Sequence, residues 1–400
     1  MRVTNASVYK KFTSSANNVH AQLIKSFNKV SSTKAYEAAA ENPLAYYQSK
    51  MIDNQYLDTL SKKSLIKDVQ NRIYQQELQV RDIHDILKKA KQQVQYARTD
   101  TTTGSALASL RDDLQQKMHS IVNDLNGQYQ DFYVFGGNDV SNPPFSLSGD
   151  GSVLTFSHIF PDDPNKEAKE FHMQLKQDEK TGEYGYSLVE KNAAGEWEEL
   201  TGQAKDDAAK DLIRAMKEQG PLDIGYGTIR DRDTLLDTYT SGLNVLAGVT
   251  TDAVKNGALQ TNGQDDINIF LENLAKGPLG LIGTAVQSID KNLQAENTDD
   301  YEKVHKEMFD TLGTVISDMT QAEYTTSTFF SDLGTKYKLM DDMDSKLKLA
   351  ADNLTEQYTD VWGADPYEAV MEMYNNQYSY NAALKVGSQL LSSSLFDFMR

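Results

Sequence analysis

LGTKYKLMDDMDSKLKLAADNLTEQYTDV, residues 333–361, is the stretch that decides the fold. Leu333, Met340, Leu347, Leu354 and Val361 recur every seven residues, and Tyr337, Asp344, Ala351 and Tyr358 form an interleaved row. Steps of four and three place both rows on one side of a helix as a narrow seam, which needs a partner helix more than a broad globular core. At about 1.5 Å per residue the helix runs roughly 40 Å.

Downstream, Gly363 is placed to stop this rod and Asp365-Pro366 to start another helix. Asp365 is the N-cap, Pro366 takes the first position, where a missing N–H costs nothing, and Glu368 stands where a capping box needs it. The row of the last helix reads Val370, Tyr374, Gln377, Asn381, Leu384, Ser388, Leu391, Leu395 and Phe398, with Gln377, Asn381 and Ser388 polar. So weak a seam predicts a helix that orders only when something covers it.

Upstream, the same spacing opens the chain with Val8, Phe12, Ala16, Val19, Leu23, Phe27 and Val30. Ser31-Ser32-Thr33-Lys34 interrupts this helix, and Asn42-Pro43 begins the next. That helix carries the longest alternation in the sequence: Ile66, Val69, Ile73, Gln76, Val80, Ile83, Leu87, Ala90, Val94 and Ala97. It is the natural partner for residues 333–361. A polar turn at 99–105 precedes a helix striped by Leu107, Leu110, Leu114, Met118, Ile121 and Leu125, which stops near Asn126-Gly127.

At Phe132-Tyr133-Val134-Phe135-Gly136-Gly137 the period changes to that of a short strand or an extended exit. Strands are expected at 153–156, 171–175 and 184–189, with turns at 178–182 and 192–195 before Trp197. A helix is expected over 206–219, while 231–262 is ambiguous, 238–243 reading as strand or helix end. Helical pattern returns with Ile267, Phe270, Leu271 and Leu274, breaks at 277–280, and resumes over 281–293. Asn297 to Asp300 supplies a capping residue and acids for a helix striped by Val304, Met308, Leu312, Val315, Met319, Ala322 and Thr326. The implied fold is mainly α: a long coiled-coil-like bundle of the N- and C-terminal segments, with an inserted β-containing middle domain of α+β type. Its divisions are 1–40, 41–137, 138–262, 263–365 and 366–400.

Composition bounds the function. The 400 residues are 39% apolar, enough for a real core, and no apolar run approaches the ~18 residues of a membrane span. Met1-Arg2-Val3-Thr4-Asn5 lacks the apolar stretch of a secretory signal. With no cysteine there is no disulfide framework, thiolate nucleophile or Cys-based metal site. A net charge of -18 argues against a nucleic-acid partner. The charge is uneven: residues 1–98 hold 16 Lys+Arg against 8 Asp+Glu, whereas 298–365 hold 6 against 15. A basic start and an acidic end attract one another within a molecule or between neighbours.

Chemistry-bearing motifs are missing. Neither G-x-x-x-x-G-K-[ST] nor G-x-S-x-G occurs, and Gly225-Tyr226-Gly227-Thr228 lacks the third glycine of a dinucleotide loop. His20, His84, His119, His158, His172 and His305 show no metal-ligand spacing, and Asp341-Asp342-Met343-Asp344 lacks the glycine and distal Glu of a calcium loop. The expectation is a protein without catalytic, cofactor or metal residues.

The two ends resemble the bacterial flagellin family, and within it the hook-associated branch at the hook–filament junction. The likeness lies in Met1-Arg2-Val3-Thr4-Asn5, the Ser31 to Lys34 break followed by Glu41-Asn42-Pro43, and the exit Tyr133-Val134-Phe135-Gly136-Gly137. At the other end it lies in Leu333-Gly334, the Asp365 start, Ala382-Ala383-Leu384-Lys385-Val386-Gly387 and Ser394-Leu395-Phe396-Asp397-Phe398. Thr33 departs from the family's usual glycine, and Glu41-Asn42 from its usual acidic pair. The resemblance implies a structural flagellar component joining hook to filament, exported unfolded by the type III apparatus without a cleaved signal and located outside the cell. It further implies contacts with copies of itself, with a hook-associated protein on the hook side and with flagellin on the filament side. A cytoplasmic export chaperone would hold the last helix, and neither nucleic acid nor membrane is a partner.

On that reading Val8, Phe12, Val19, Leu23, Phe27, Val370, Tyr374, Leu384, Leu391, Leu395 and Phe398 form the assembly interface. Ile66, Val69, Ile73, Val80, Ile83, Leu87, Leu333, Tyr337, Met340, Leu347, Leu354 and Tyr358 form the core seam. Two rivals stand beside it: filament flagellin, and a surface ligand-binding or enzymatic module in 138–262, motivated by Tyr184, Tyr186, Trp197 and Tyr226.

Overall fold

The computed structural model describes residues 2–99, 104–164, 167–178, 181–192, 195–223 and 235–398; for 2–6 and 390–398 it describes the backbone alone. Helices α1 (Arg2–Ser32), α2 (Pro43–Ala97) and α3 (Gly104–Leu125) open the chain. A small hairpin of β1 (Gln128–Tyr129) and β2 (Phe132–Tyr133) leads to strands β3 (Phe145–Leu147), β4 (Val153–His158), β5 (Lys169–Gln177), β6 (Tyr184–Lys191) and β7 (Trp197–Glu199). Next come α4 (Gly202–Met216), β8 (Pro221–Asp223), β9 (Leu235–Asp237), α5 (Gly242–Ala247), α6 (Thr251–Lys255), β10 (Gln260–Thr261) and β11 (Gln264–Asp265). Four helices close it: α7 (Ile267–Ala275), α8 (Pro278–Gln294), α9 (Tyr301–Trp362) and α10 (Pro366–Phe398). The fold is mainly α with an inserted antiparallel sheet.

Two compact units result, one of Met1–Leu65 with Asp344–Arg400 and one of Ile66–Met343, with both boundaries inside α2 and α9. In the larger unit α2 and α9 run antiparallel. Gln70 donates to Asp341 at 3.3 Å, the rings of Tyr74 and Tyr337 lie 5.4 Å apart, and Lys91 pairs with Glu323 at 3.3 Å. Ile66, Ile73, Val80, Ile83 and Leu87 are buried on α2, with Val69 half-buried. On α9, Met308, Leu312, Val315, Met319, Leu333 and Met340 are buried, with Tyr337 half-buried. The pairing corrects one expectation. Because the helices are antiparallel, the row beginning at Ile66 meets α9 from Asp341 back to Phe309, so only the first turns of residues 333–361 face it.

Strands β3 to β7 form one sheet in chain order, antiparallel throughout, with Leu154 opposite Met173 and Met173 opposite Leu188. The inward side chains Leu154, Phe156, Phe171, Met173, Leu175 and Leu188 are buried, and α7 and α8 pack on β6 and α3 on β3. Alternation at 171–175 is thus the mark of a half-covered strand.

Several boundaries differ from the sequence reading. The helix expected over 206–219 spans Gly202–Met216, because it starts directly after Thr201 in extended backbone and ends before Gly220-Pro221. The break at 277–280 shrinks to Lys276 and Gly277, since Pro278 takes the first position of α8. Residues 238–241 are a loop whose Ser241 caps α5 by accepting from the Leu243 amide. In the polar turn at 99–105, residues 100–103 lie outside the described residues and α3 already begins at Gly104.

Candidate assembly interface

In the smaller unit α1 and α10 lie side by side, antiparallel. The Asn376 side chain donates to the Gln22 carbonyl, the rings of His20 and Tyr380 are 5.1 Å apart, and Lys29 pairs with Glu372 at 2.9 Å. On α1 the side chains turned toward the partner are Phe12, Ala16, Val19, Leu23, Ser26 and Val30. Ser26 tolerates burial because its hydroxyl donates to the Leu23 carbonyl at 2.9 Å. On α10 the packed row is Ala369, Met373, Asn376, Tyr380, Ala383 and Gly387, all buried or half-buried.

That row is one residue ahead of the one picked from the sequence. Val370, Tyr374 and Leu384 are 36%, 60% and 50% exposed, as are Phe27 at 59% and Val8 at 48% on α1. Phe12, Val19 and Leu23 are the half-buried members of the set, whereas the side chains of Leu391, Leu395 and Phe398 lie outside the described residues. One residue corresponds to about 100° around a helix, so α10 bears two apolar stripes. One is covered by α1; the other is open, and Tyr367, Met371 and Tyr378 widen it.

Capping sets where these helices begin. Asp365 Oδ1 accepts from the amides of Tyr367 (2.8 Å) and Glu368 (3.2 Å), and Asn42 Oδ1 accepts from Ala45 (3.1 Å). Two of the basic-to-acidic pairings fall here, Lys29–Glu372 and the looser Lys63–Asp344 at 4.0 Å. Exposed pairs of this kind contribute little each. On α9 Leu347 is buried, with Leu354 and Tyr358 half-buried beside it. The sequence reading passed over Leu44, Tyr47 and Met51 on the first turns of α2, which are exposed. Their own steps of three and four were the signal that marked a second apolar stripe there.

The aromatic residues behind the ligand-binding reading are held in the larger unit. Burial pushes the Tyr184 hydroxyl up to about 12, and Tyr186, also raised by burial, is part of the core. Both border an open cleft of about 1040 Å³ between β6, α7, α8 and α9. The Trp197 ring is tilted against that of His172 at 4.9 Å, and Tyr226 lies outside the described residues. Among the described residues no group of three or more His, Asp or Glu could hold a metal ion.

Fold and interface together define a class: a mainly helical chain whose two ends pair, with an antiparallel sheet inserted between them and an uncovered apolar stripe on the pair. No family model matches the sequence, and no curated protein matches it. Among solved structures the chain is similar to a Vibrio parahaemolyticus protein described as flagellar hook-associated. That match has 11% identity and a TM-score of 0.45, over 81% of this chain and 100% of the other. It is also similar to flagellar hook associated protein-3 from Legionella pneumophila, at 10% identity and TM-score 0.40 over 78% and 98%. A third likeness is to FlgL from Xanthomonas campestris, at 12% identity and TM-score 0.38 over 77% and 99%.

Proposed function

We propose that this chain is a structural, non-enzymatic component of the bacterial flagellum, a hook-associated protein of type 3 that joins hook to filament. The observation that carries the reading is the open stripe of Val370, Tyr374 and Leu384 on a helix whose other stripe is already covered by α1. Large contiguous apolar surface on a protein in water marks an interaction site. When the complementary surface lies elsewhere on the same molecule, repetition of the contact builds a helical array. The family motifs at both chain ends supply the identity of that array.

In this reading residues 1–40 and 366–400 are the assembly segments, 41–137 and 263–365 the helical core, and 138–262 the outward-facing domain. Copies of the chain contact each other, a hook-associated protein and flagellin lie on either side, and an export chaperone covers α10 before secretion by the type III route.

The deciding experiment is deletion of the gene, followed by electron microscopy of hooks and labelling of the restored protein. The expected result is intact hooks that shed their filaments, with label in a single band beside the hook. Label along the whole filament assigns the chain to filament flagellin instead, and unchanged filaments and motility overturn the proposal.

A further inference from the structure

The turn between α1 and α2 is tied by main chain to the turn between α9 and α10. Ala35 N–H donates to the Trp362 carbonyl and Ala364 N–H donates to the Thr33 carbonyl, both at 2.9 Å, with Lys34 and Gly363 paired as an antiparallel bridge. Trp362 is only 6% exposed, its ring 5.4 Å from that of Tyr36 and 5.9 Å from that of Tyr46. Gly363 admits no side chain, because a Cβ would sit 2.4 Å from the Thr359 carbonyl oxygen.

Thr33 holds φ at 57°. It directly follows the end of α1 at Ser32, where a left-handed residue turns the chain and glycine is the residue suited to it. A β-branched residue in that conformation is strained, because its Cβ crowds the carbonyl oxygen. The strained residue also supplies one of the two carbonyls that hold the bridge.

We infer that this bridge is a conformational joint that makes α1 and α10 open and close as one element, with Trp362 clamping it and the strain at Thr33 holding it near release. Each side supplies the acceptor for the other side's amide, so letting go of one turn strips a partner from the other. Local opening follows such shared contacts. The inference stands on the bridge alone, independently of what the pair docks against.

Hydrogen exchange on the full chain, read at the Ala35 and Ala364 amides and across both helices, tests it. Trp362→Ala is expected to accelerate exchange about tenfold in α1 and α10 together, with residues 66–97 unchanged. Thr33→Gly is expected to slow both helices by roughly threefold, the relief of strain less the added freedom of glycine in the unfolded chain. Acceleration of one helix without the other in Trp362→Ala overturns the coupling. Should that variant loosen residues 66–97 as well, Thr33→Gly decides: slowing in both helices supports the joint, and unchanged or faster exchange overturns it.

Discussion

Gly387 of α10 lies directly against the ring of Phe12 of α1: a Cβ on Gly387 would come within 2.3 Å of Phe12 Cζ. The two helices approach so closely because this position carries no side chain, while Ala369 and Ala383 on the same row are nearly as small. Gly387→Ala therefore pushes the Phe12 ring aside. Overpacking costs about 1–3 kcal/mol, against which alanine's better helix propensity returns under 1 kcal/mol. Hydrogen exchange at the ends of α1 and α10 is expected to rise several-fold, and slower exchange would count against the close approach.

Tyr374 and Leu384 sit on the open stripe, 60% and 50% exposed. The double change Tyr374→Asp with Leu384→Asp is expected to leave the thermal midpoint within about 2 °C, because exposed substitutions shift stability by roughly 0.5 kcal/mol or less. Self-association, followed by sedimentation, should be lost. The packed-row change Leu23→Asp makes the contrast, since it should loosen α1 and α10 within the single chain. Assembly that survives the double change would remove the stripe from the interface.

Asp124 on α3 is held up to about 6 from its ordinary 3.8, first by burial and then by the nearby charge of Asp82. A carboxyl raised in the fold favours its protonated form there. The cost of ionising it is absent below about pH 4, grows as pH rises between the two values and is complete above about pH 6. Discounted for partial exposure, Asp124→Asn should stabilise the larger unit by about 1 kcal/mol at pH ~7.5 and by nothing measurable at pH ~4. Urea titrations at both pH values check this; an equal gain at both would assign it to something other than the charge.

Asp365 accepts from two backbone amides at the start of α10. Asp365→Ala removes both acceptors and should weaken that helix start by about 1 kcal/mol. The readout is exchange at the Tyr367 and Glu368 amides, expected to rise several-fold with α2 untouched. Unchanged protection would mean the cap is not what holds the first turn.

Much of this was legible because helix period and capping are local. The rows from Ile66 to Ala97 and from Leu333 to Val361 repeat at one spacing with bulky residues, which marks a helix and its apolar side; Ile66, Ile73, Leu333, Met340 and Leu347 are buried, whereas Val69, Leu354 and Val361 are half-buried. Asn42-Pro43 and Asp365-Pro366 announced helix starts through the backbone chemistry of the residues themselves. Thr33 shows the limit of such reading. Its left-handed backbone, a conformation suited to glycine, appears only in the fold.

By itself the sequence determined that the chain is mainly helical, that a sheet-bearing segment is inserted between its helical ends, and that α2 and α10 begin at Asn42-Pro43 and Asp365-Pro366. Which stripe of α10 faces inward was decided by tertiary structure alone. Ala369, Met373, Asn376, Tyr380, Ala383 and Gly387 share the same steps of four and three with Val370, Tyr374, Gln377, Asn381, Leu384 and Ser388. Apolar bulk at Val370, Tyr374 and Leu384 favours the second row, whereas the close approach of Phe12 requires Gly387 on the first, which also carries the small Ala369 and Ala383; the stripe of Val370, Tyr374 and Leu384 is therefore the one left open.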